Sequence, residues 1–204
     1  MSPGMQMWDS RYGEDGWAYG TAPNGFLKER VDALCEQWGG AAGKKVLCLA
    51  EGEGRNAFYL AEKGFAVTAV DFSEIGIAKL KKEADSRKLV ISAQVADLTD
   101  YDMTTPGGYD LIVSIFAHMP SDTRKGAHAR VAAALAPGGR MILEAYTPAN
   151  IGRNTGGPQD APMCMTLEGL RVELAGLEEE HGAETERAVQ GLPEVQDTHR
   201  LKLA

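Results

Sequence analysis

The sequence predicts an α/β fold in which a mainly parallel sheet carries helices on both faces. Five short apolar runs, each of strand length, alternate with stretches of helical periodicity. Successive residues within the runs are apolar, as expected for strands that are buried on both faces and joined by right-handed crossovers. With 204 residues, 44% of them apolar, residues 1–204 are expected to form one domain around one core.

The elements can be placed along the chain from periodicity and capping residues. The predicted strands span residues 45–50, 65–70, 90–96, 109–116 and 140–146. The predicted helices run from Asn24, the expected N-cap, to Trp38, and over residues 55–63, 74–87, 121–136 and 166–175. The glycine pair Gly39-Gly40 should end the first helix, and the Pro-Gly-Gly sequence at 137–139 should end the fourth.

The two ends of the chain are less regular. Residues 8–25 mix aromatic, glycine and charged residues and are predicted to form an ordered flap over the domain. Residues 147–165 are rich in Pro, Gly and Asn and should form a long loop. Residues 177–187 and 195–203 are predicted to pair as an antiparallel hairpin that turns at 191–193.

Composition narrows the possible partners and location. Acidic residues outnumber basic ones by 29 to 21, so the net charge of −8 should repel nucleic acid and anionic membranes. No apolar run approaches the roughly 20 residues needed to cross a bilayer, and no leader sequence is recognisable. The three cysteines have no paired spacing, so neither a disulfide framework nor a metal site is expected. A cytoplasmic protein is predicted, with its oligomeric state open.

A glycine-rich turn follows the first predicted strand. Gly52 and Gly54 allow the backbone to pass close beneath a ligand, and the start of the following helix supplies free N–H groups. A tight turn that merely packs helix against strand is the alternative interpretation of this pattern.

Two carboxylates follow the next two strands at the same edge of the predicted sheet. Asp71 comes after the second strand and could accept both hydroxyls of a ribose, although an N-cap role is also possible. Asp97 comes after the third strand and could accept a hydrogen bond from an adenine amino group, or simply begin a turn. Together with the glycine turn, these residues predict a ligand that contains adenosine.

Two cofactor classes fit this layout: a nicotinamide dinucleotide and S-adenosylmethionine (SAM). The spacing of Gly52, Gly54 and Ala57 satisfies a lenient dinucleotide fingerprint, which keeps an NAD-dependent oxidoreductase as an alternative. Such an enzyme usually needs a substrate domain, whereas few residues remain after the fifth strand. SAM needs only this one domain, and its use is therefore favoured.

Several motifs together resemble one family. They are Trp8-Asp9-x-Arg11-Tyr12, Tyr19-Gly20-x-x-Pro23-Asn24-x-Phe26-Leu27 and Gly52-Glu53-Gly54-Arg55-Asn56-Ala57, with further agreement at 70–73, 109–112, 117–120 and 135–139. The chain resembles the tellurite-resistance (TehB-like) methyltransferases, relatives of the thiopurine methyltransferases, from residue 8 to about residue 158. The resemblance implies a Rossmann-like, doubly wound fold and SAM as the cofactor.

The resemblance and the layout at the sheet edge together assign candidate site residues. The candidate cofactor-binding residues are Trp8, Tyr12, Glu51, Gly52, Glu53, Gly54, Arg55, Asn56, Asp71, Phe72, Ser73, Asp97, Leu98 and Ile115. The candidate substrate-side residues are Arg11, Tyr19, Tyr146 and Arg153. Residues 1–40 would then form an N-terminal lid and helix, 41–146 the cofactor-binding core, and 147–204 a substrate-side loop, helix and hairpin. The chain departs from many SAM enzymes at Cys48, where an acidic residue is usual, and at Ala50, where glycine is usual.

The resemblance implies methyl transfer to a small soft nucleophile, such as a thiol or a selenium or tellurium oxyanion. SAM supplies the electrophile, so the protein mainly orients two reactants and excludes water. His118 follows the fourth strand and is the candidate catalytic residue, able to take a proton from the acceptor; a histidine bonded to its own loop is the alternative. Residues 116–120 lack the Asn/Asp-Pro-Pro-aromatic pattern of nucleic-acid amino-methyltransferases. A non-catalytic SAM-binding protein remains a further alternative.

Overall fold

Strands and helices alternate along most of the chain in the computed structural model, which describes residues 3–188 and 197–203. The strands are β1 Lys45–Leu49, β2 Ala66–Asp71, β3 Ile91–Val95, β4 Tyr109–Ile115, β5 Leu135–Tyr146, β6 Gly182–Ala188 and β7 Asp197–Leu203. The helices are α1 Pro3–Tyr12, α2 Gly25–Trp38, α3 Arg55–Glu62, α4 Glu74–Ser86, α5 Ser121–Ala134 and α6 Leu167–Glu173. Short 3₁₀ turns lie at Pro148–Asn150 and Ala161–Met163.

The seven strands form one sheet in the order β3-β2-β1-β4-β5-β7-β6. Strands β1 to β5 are parallel, whereas β7 runs antiparallel to both β5 and β6. The chain winds outward from β1 to β3 and then returns to β4 and β5 on the other side of β1. This is the predicted Rossmann-like, doubly wound fold with a C-terminal hairpin, and its strand order reverses between β1 and β4. The predicted hairpin turn at 191–193 lies outside the described residues.

Both faces of the sheet are buried, because alternate residues of each central strand point to opposite faces. In β1, Val46 and Cys48 pack in a core cluster with α2, α3 and α4, while Leu47 and Leu49 pack in a second cluster with α5 and α6. This arrangement explains why the strands are apolar at successive positions rather than at alternate ones.

Capping residues determine where helices α2 and α4 begin. Asn24 accepts a hydrogen bond from the Leu27 N–H and so begins α2, and Gly39 ends that helix in the left-handed conformation. Ser73 accepts from the Gly76 N–H at the start of α4. The predicted helix beginning at Asn24 is confirmed, and so are the starts of α3, α4 and α5.

The predicted boundaries around β5 and β6 were wrong, and β6 begins at Gly182 rather than at residue 177. Helix α5 ends at Ala134, and β5 begins at Leu135 rather than at residue 140. Leu135 pairs with Tyr109, and the register then shifts before Leu111 pairs with Arg140. A Cβ at Gly139 would lie 2.7 Å from the Tyr109 carbonyl oxygen, so the glycine lets the chain enter the sheet early.

The N-terminal segment is more regular than predicted. Residues 3–12 form α1, and only residues 13–23 lack regular structure; these eleven residues are called the flap below. Trp8 and Tyr12 stand four residues apart on one helical face and stack with a ring-centroid distance of 5.3 Å. Within residues 3–188 and 197–203, no helix is long and apolar enough to span a membrane.

Candidate functional site

The turn between β1 and α3 carries two glycines in the left-handed conformation. Gly52 and Gly54 have φ angles of 62° and 95°, and a Cβ at Gly54 would lie 2.5 Å from a carbon of the Leu80 side chain. Glycine is therefore required at position 54 for both conformation and space. Ala50, two residues before Gly52, also has a positive φ of 49°, which is strained for a residue with a Cβ.

Asp71, the last residue of β2, holds this turn from the neighbouring strand. Its Oδ2 accepts a hydrogen bond from the Gly52 N–H at 2.8 Å, and its Oδ1 accepts from the Ser73 N–H at 2.9 Å. The side chain is 4% exposed, and burial raises the pKa of the carboxyl to about 6 although these two hydrogen bonds lower it. Asp71 thus lies at the carboxyl edge of the sheet, where open α/β sheets bind ligands.

Glu51 occupies the start of α3. Its Oε1 accepts hydrogen bonds from the backbone N–H groups of Asn56 and Ala57, at 2.9 and 2.8 Å. Burial raises the pKa of Glu51 to about 7 despite these bonds. The expectation of free N–H groups here was wrong for these two amides, because a side chain of the same turn already satisfies them.

Glu53 anchors the flap to the glycine turn. Its buried carboxylate accepts from the Ala18 N–H at 2.8 Å and pairs with Lys79 at 2.9 Å. Lys79 also donates to the carbonyl oxygens of Glu14 and Gly16, at 3.0 and 2.9 Å. A single carboxylate–ammonium pair therefore fixes the middle of the flap to α4 and to the turn.

Helix α1 covers the glycine turn. A Cβ at Gly52 would overlap the hydroxyl of Tyr12, and one at Gly76 would lie 2.9 Å from Tyr12 Cδ2. Burial, reinforced by the charge of Asp71, raises the pKa of Tyr12 well above its usual value. One turn earlier, Asp9 accepts a hydrogen bond from the Ser73 hydroxyl at the N-terminus of α4, where the helix dipole favours a carboxylate.

Tyr12 leaves a small cavity at the turn, of about 30 Å³. It is lined by Tyr12, Tyr19, Gly20, Glu51, Glu53, Gly54 and Arg55. Tyr19 is half exposed at its mouth, with the Arg11 guanidinium 5.0 Å and the Arg55 guanidinium 5.8 Å from the ring centroid. Two cations and an aromatic ring therefore frame the entrance.

The other predicted cofactor residues lie at the same edge of the sheet. The Ala96 N–H donates to the Asp71 carbonyl, which brings the chain to Asp97 beside the end of β2. Asp97 is exposed, and its Oδ1 accepts from the Thr99 N–H, so it does begin a turn. Leu98 is buried in the α5 core cluster, Phe72 lies beside Gly4 of α1, and Ile115 is buried at the end of β4.

Three rings stack where β4 and β5 end, and Phe116, His118 and Tyr146 are called the aromatic stack below. The ring centroids of Phe116 and Tyr146 are 4.9 Å apart, and those of His118 and Tyr146 are 5.5 Å apart. His118 contacts the Met163 carbonyl through Nδ1 at 2.9 Å and accepts from the Tyr146 N–H through Nε2 at 3.1 Å. Burial lowers the pKa of His118 to about 4.

This geometry contradicts the role of proton acceptor for His118. With Nε2 accepting from the Tyr146 amide, Nδ1 must be the protonated nitrogen that donates to the Met163 carbonyl. No lone pair is left for a substrate proton. His118 instead ties the loop after β4 to Tyr146 and to the segment around Met163. The alternative of a histidine bonded to its own loop also differs from this, because both ring partners belong to other segments.

Arg153 and the larger cavity lie further along the chain. The Arg153 guanidinium pairs with Glu186 of β6 at 2.9 Å and donates to the Ala149 carbonyl at 3.0 Å, so it joins the loop to the hairpin.

A cavity of about 180 Å³ lies between α5, α6 and residues 161–166. Its buried Arg124 is paired bidentately with Glu173, which satisfies both charges within the wall.

Sequence reasoning missed Glu144 and did not foresee the tertiary contacts of Asp9 and Asn24, although both of these belong to the motifs named above. Asp9 docks α1, while Asn24 and Glu144 form a buried hydrogen bond of 2.6 Å at the root of the flap. Glu144 interrupts the apolar pattern of residues 141–145 with a charge, and this was the available signal. The contact with Asn24 spans 120 residues and depends on the tertiary fold.

Comparison with known protein families gives a match for the central part of the chain. Residues 46–139 match the family model of a methyltransferase domain. The match contains the glycine turn, Asp71 and Asp97, and it ends at Gly139 within β5. No curated protein sequence matches the chain.

Solved structures confirm the Rossmann-like methyltransferase fold. A structure concerned with the conversion of a disulfide bond into a thioacetal group during echinomycin biosynthesis has 21% identity, covers 98% of this chain and 89% of its own, and has a TM-score of 0.70. TehB from Haemophilus influenzae has 18% identity over 98% of this chain and 65% of its own, with a TM-score of 0.70. Magnesium protoporphyrin IX methyltransferase from Synechocystis PCC 6803, solved with S-adenosylhomocysteine (SAH), has 18% identity over 99% and 94%, with a TM-score of 0.64.

Proposed function

We propose that this protein is a SAM-dependent methyltransferase of the TehB-like group that acts on a small soft nucleophile. The observation that carries the proposal is the glycine turn at Gly52–Gly54, held by the buried carboxylate of Asp71 inside the segment that matches a methyltransferase domain. The resemblance in motifs to the TehB-like family supports the choice of substrate class, a thiol or a selenium or tellurium oxyanion.

The residues at the turn fit SAM in their chemistry. The three atoms nearest to a Cβ built at Gly52 all belong to Tyr12. The Asp71 carboxylate lies within hydrogen-bonding distance of the turn, so it is suited to a ribose. The exposed Asp97 is suited to the adenine amino group, and Phe72, Ser73, Leu98 and Ile115 complete the candidate lining. Trp8 and Tyr12 present aromatic faces that attract a sulfonium.

The space at the turn does not fit SAM while α1 is docked. A cavity of about 30 Å³ is far below the roughly 300 Å³ or more that small-molecule sites provide. Tyr12 fills the missing volume, so α1 has to move away from Gly52 before SAM can contact the turn. We infer that α1 opens to admit the cofactor and that Trp8 and Tyr12 then close over it. Within residues 1–40, α1 and the flap would thus be the lid, and α2 the helix packed in the core.

The chain's own residues have a limited chemical task. SAM supplies an electrophilic methyl group, and the protein aligns the acceptor with it and excludes water. Because His118 has no lone pair to offer, it is not the general base. We therefore propose an acceptor that reacts without one, such as a thiolate or an oxyanion. Arg11 and Tyr19 at the cavity mouth and Tyr146 in the aromatic stack are the proposed substrate-side contacts.

Methyl transfer can be measured with SAM that carries a labelled methyl group. The acceptors are a panel of small thiols together with selenite and tellurite, and the protein is compared with its Asp71→Asn variant, in which one oxygen remains to accept from the backbone. The expected result is label on at least one acceptor, with the variant slower by a factor on the order of 10 or more. Absence of label on the whole panel, with SAH still bound, would instead favour the second candidate.

That second candidate is a SAM-binding protein without catalytic activity. The full engagement of His118 and the presence of buried Cys48 where many SAM enzymes have an acidic residue are the observations that favour it. Under either candidate the proposed partner is a small molecule, and we propose a cytoplasmic location.

A further inference from the structure

The end of β5 buries a carboxylate that the proposed reaction does not use. Glu144 is 0% exposed and lies where the sheet meets the N-terminus of α2. Its Oε2 accepts a hydrogen bond of 2.6 Å from Asn24 Nδ2. Burying a carboxylate carries a desolvation penalty that an apolar side chain of similar volume would avoid. The contacts that Glu144 makes are therefore the expected reason for a carboxylate at this position.

Asn24 joins three separate segments at the point where the flap ends. Its Oδ1 accepts from the Leu27 N–H at 3.0 Å and caps α2, while its own N–H donates to Asn56 Oδ1 at 2.9 Å in the first turn of α3. Its Nδ2 reaches Glu144 on β5. The root of the flap is thereby attached both to the helix that follows the glycine turn and to the strand that leads to Tyr146.

Glu144 also holds the aromatic stack through its main chain. Its carbonyl oxygen accepts from the Phe116 N–H at 2.7 Å. Phe116 has a φ of 55°, an unfavourable conformation for a bulky residue, and its ring stacks on Tyr146. A single residue therefore fixes the root of the flap through its side chain and the aromatic stack through its backbone.

We propose that Asn24 and Glu144 are positioning residues that set the flap relative to the aromatic stack. The flap carries Tyr19 and Gly20 to the cavity at the glycine turn, and the stack forms at the ends of β4 and β5. The flap therefore lies at the end of β1, and the stack lies at the ends of the neighbouring strands β4 and β5. The expected effect of the pair on the reaction rate rests on the proposed methyl transfer, whereas its expected effect on the flap does not depend on any ligand.

The proposal can be tested by exchanging the hydrogen-bond donor and acceptor between residues 24 and 144. Asn24→Asp keeps the N-cap of α2, because Asp caps as well as Asn, but replaces the donor that faces Glu144 with an acceptor. Glu144→Gln alone keeps an acceptor for Asn24. The double variant Asn24→Asp/Glu144→Gln restores one donor and one acceptor in the opposite sense. Thr166→Asp, which changes the exposed N-cap of α6, is the matched control.

The first readout needs no cofactor: hydrogen exchange of the flap amides, above all that of Ala18, which donates to Glu53. At pH 8, where a proton shared between two carboxyls is least favoured, Asn24→Asp should exchange faster by a factor on the order of 10, and the double variant should return to the wild-type rate. Unchanged exchange in Asn24→Asp, or a double variant no better than the single one, overturns the proposal.

The second readout is methyl transfer at a temperature where circular dichroism shows every variant folded. We expect kcat to fall on the order of 10- to 100-fold in Asn24→Asp, to recover in the double variant, and to stay constant in Thr166→Asp. A purely structural pair would lower the melting temperature and leave kcat unchanged, which would contradict the proposal. If wild-type protein transfers no methyl group, the proposed function fails, while the exchange experiment still decides whether the pair sets the flap.

Discussion

At the scale of single residues, Ala50 has a strained backbone conformation beside the glycine turn. Its φ of 49° is the conformation for which glycine is favoured. We expect Ala50→Gly to raise the free energy of unfolding by about 0.5 kcal/mol, because relief of strain exceeds the added entropy of the unfolded chain. The measurement is urea denaturation.

A matched control is available in α4. Ala78 is exposed in the interior of that helix, so Ala78→Gly should lower the free energy of unfolding by about 1 kcal/mol. Equal destabilisation by both substitutions would show that Ala50 is not strained.

His118 gives a second prediction, on stability and pH. Replacing it with alanine removes hydrogen bonds to the Met163 and Tyr146 backbone, and should cost about 2 kcal/mol of unfolding free energy at pH 7.5. The folded pKa of about 4 lies below the ordinary 6.5, so only the unfolded state takes up a proton between these values. The contribution of His118 is therefore lost as the pH falls from 6.5 towards 4.

The check is the difference in unfolding free energy between wild type and His118→Ala at pH 7.5 and at pH 4.5. This difference should shrink at the lower pH. A difference that grows on acidification would mean that His118 is protonated in the folded protein, and would restore its candidacy as a proton carrier.

Single residues also show how far sequence reasoning reaches. Gly52, Gly54 and Asp71 were predictable, because a turn between a strand and a helix and a carboxylate at the next strand end are local patterns. The engagement of Glu51 with the Asn56 and Ala57 amides and the contact of Tyr12 with Gly52 were not predictable. They depend on side-chain geometry and on the docking of a distant helix.

At the scale of elements, α1 determines access to the glycine turn. Wild-type protein should bind SAH in two steps, so that the observed rate in stopped-flow tryptophan fluorescence levels off with SAH concentration at the rate of α1 opening. Tyr12→Ala removes the ring from Gly52 and should abolish this plateau. A rate that rises linearly for wild type up to high concentration would contradict occlusion by α1.

The same scale separates the elements that were predictable from those that were not. The parallel strands were found from apolar runs because each is buried on both faces. The early start of β5 at Leu135 was missed, because the pairing with Tyr109 overrides the turn signal of the Pro-Gly-Gly sequence at 137–139. Helix α1 was missed because its stability comes from Asp9 and Tyr12 packing on α4 rather than from its own sequence.

At the scale of the whole molecule, topology brings the candidate site together. The strand order places the ends of β1, β2 and β3 beside those of β4 and β5, with the reversal between β1 and β4. The glycine turn, Asp71 and Asp97 therefore share one edge with the aromatic stack, as the alternation of strands and helices predicts. An N-terminal lid was also expected, but the contacts that attach it, such as Ala18 to Glu53 and Tyr12 to Gly52, had to come from the structure.

The central claim is that this edge binds SAM, and titration calorimetry with SAH tests it most directly. Wild-type protein should bind SAH saturably, and Asp71→Asn should bind it at least 10-fold more weakly, because the carboxylate is the proposed ribose contact. NADH, titrated separately, should give no saturable heat. Binding of NADH without binding of SAH would contradict the account and would indicate an oxidoreductase.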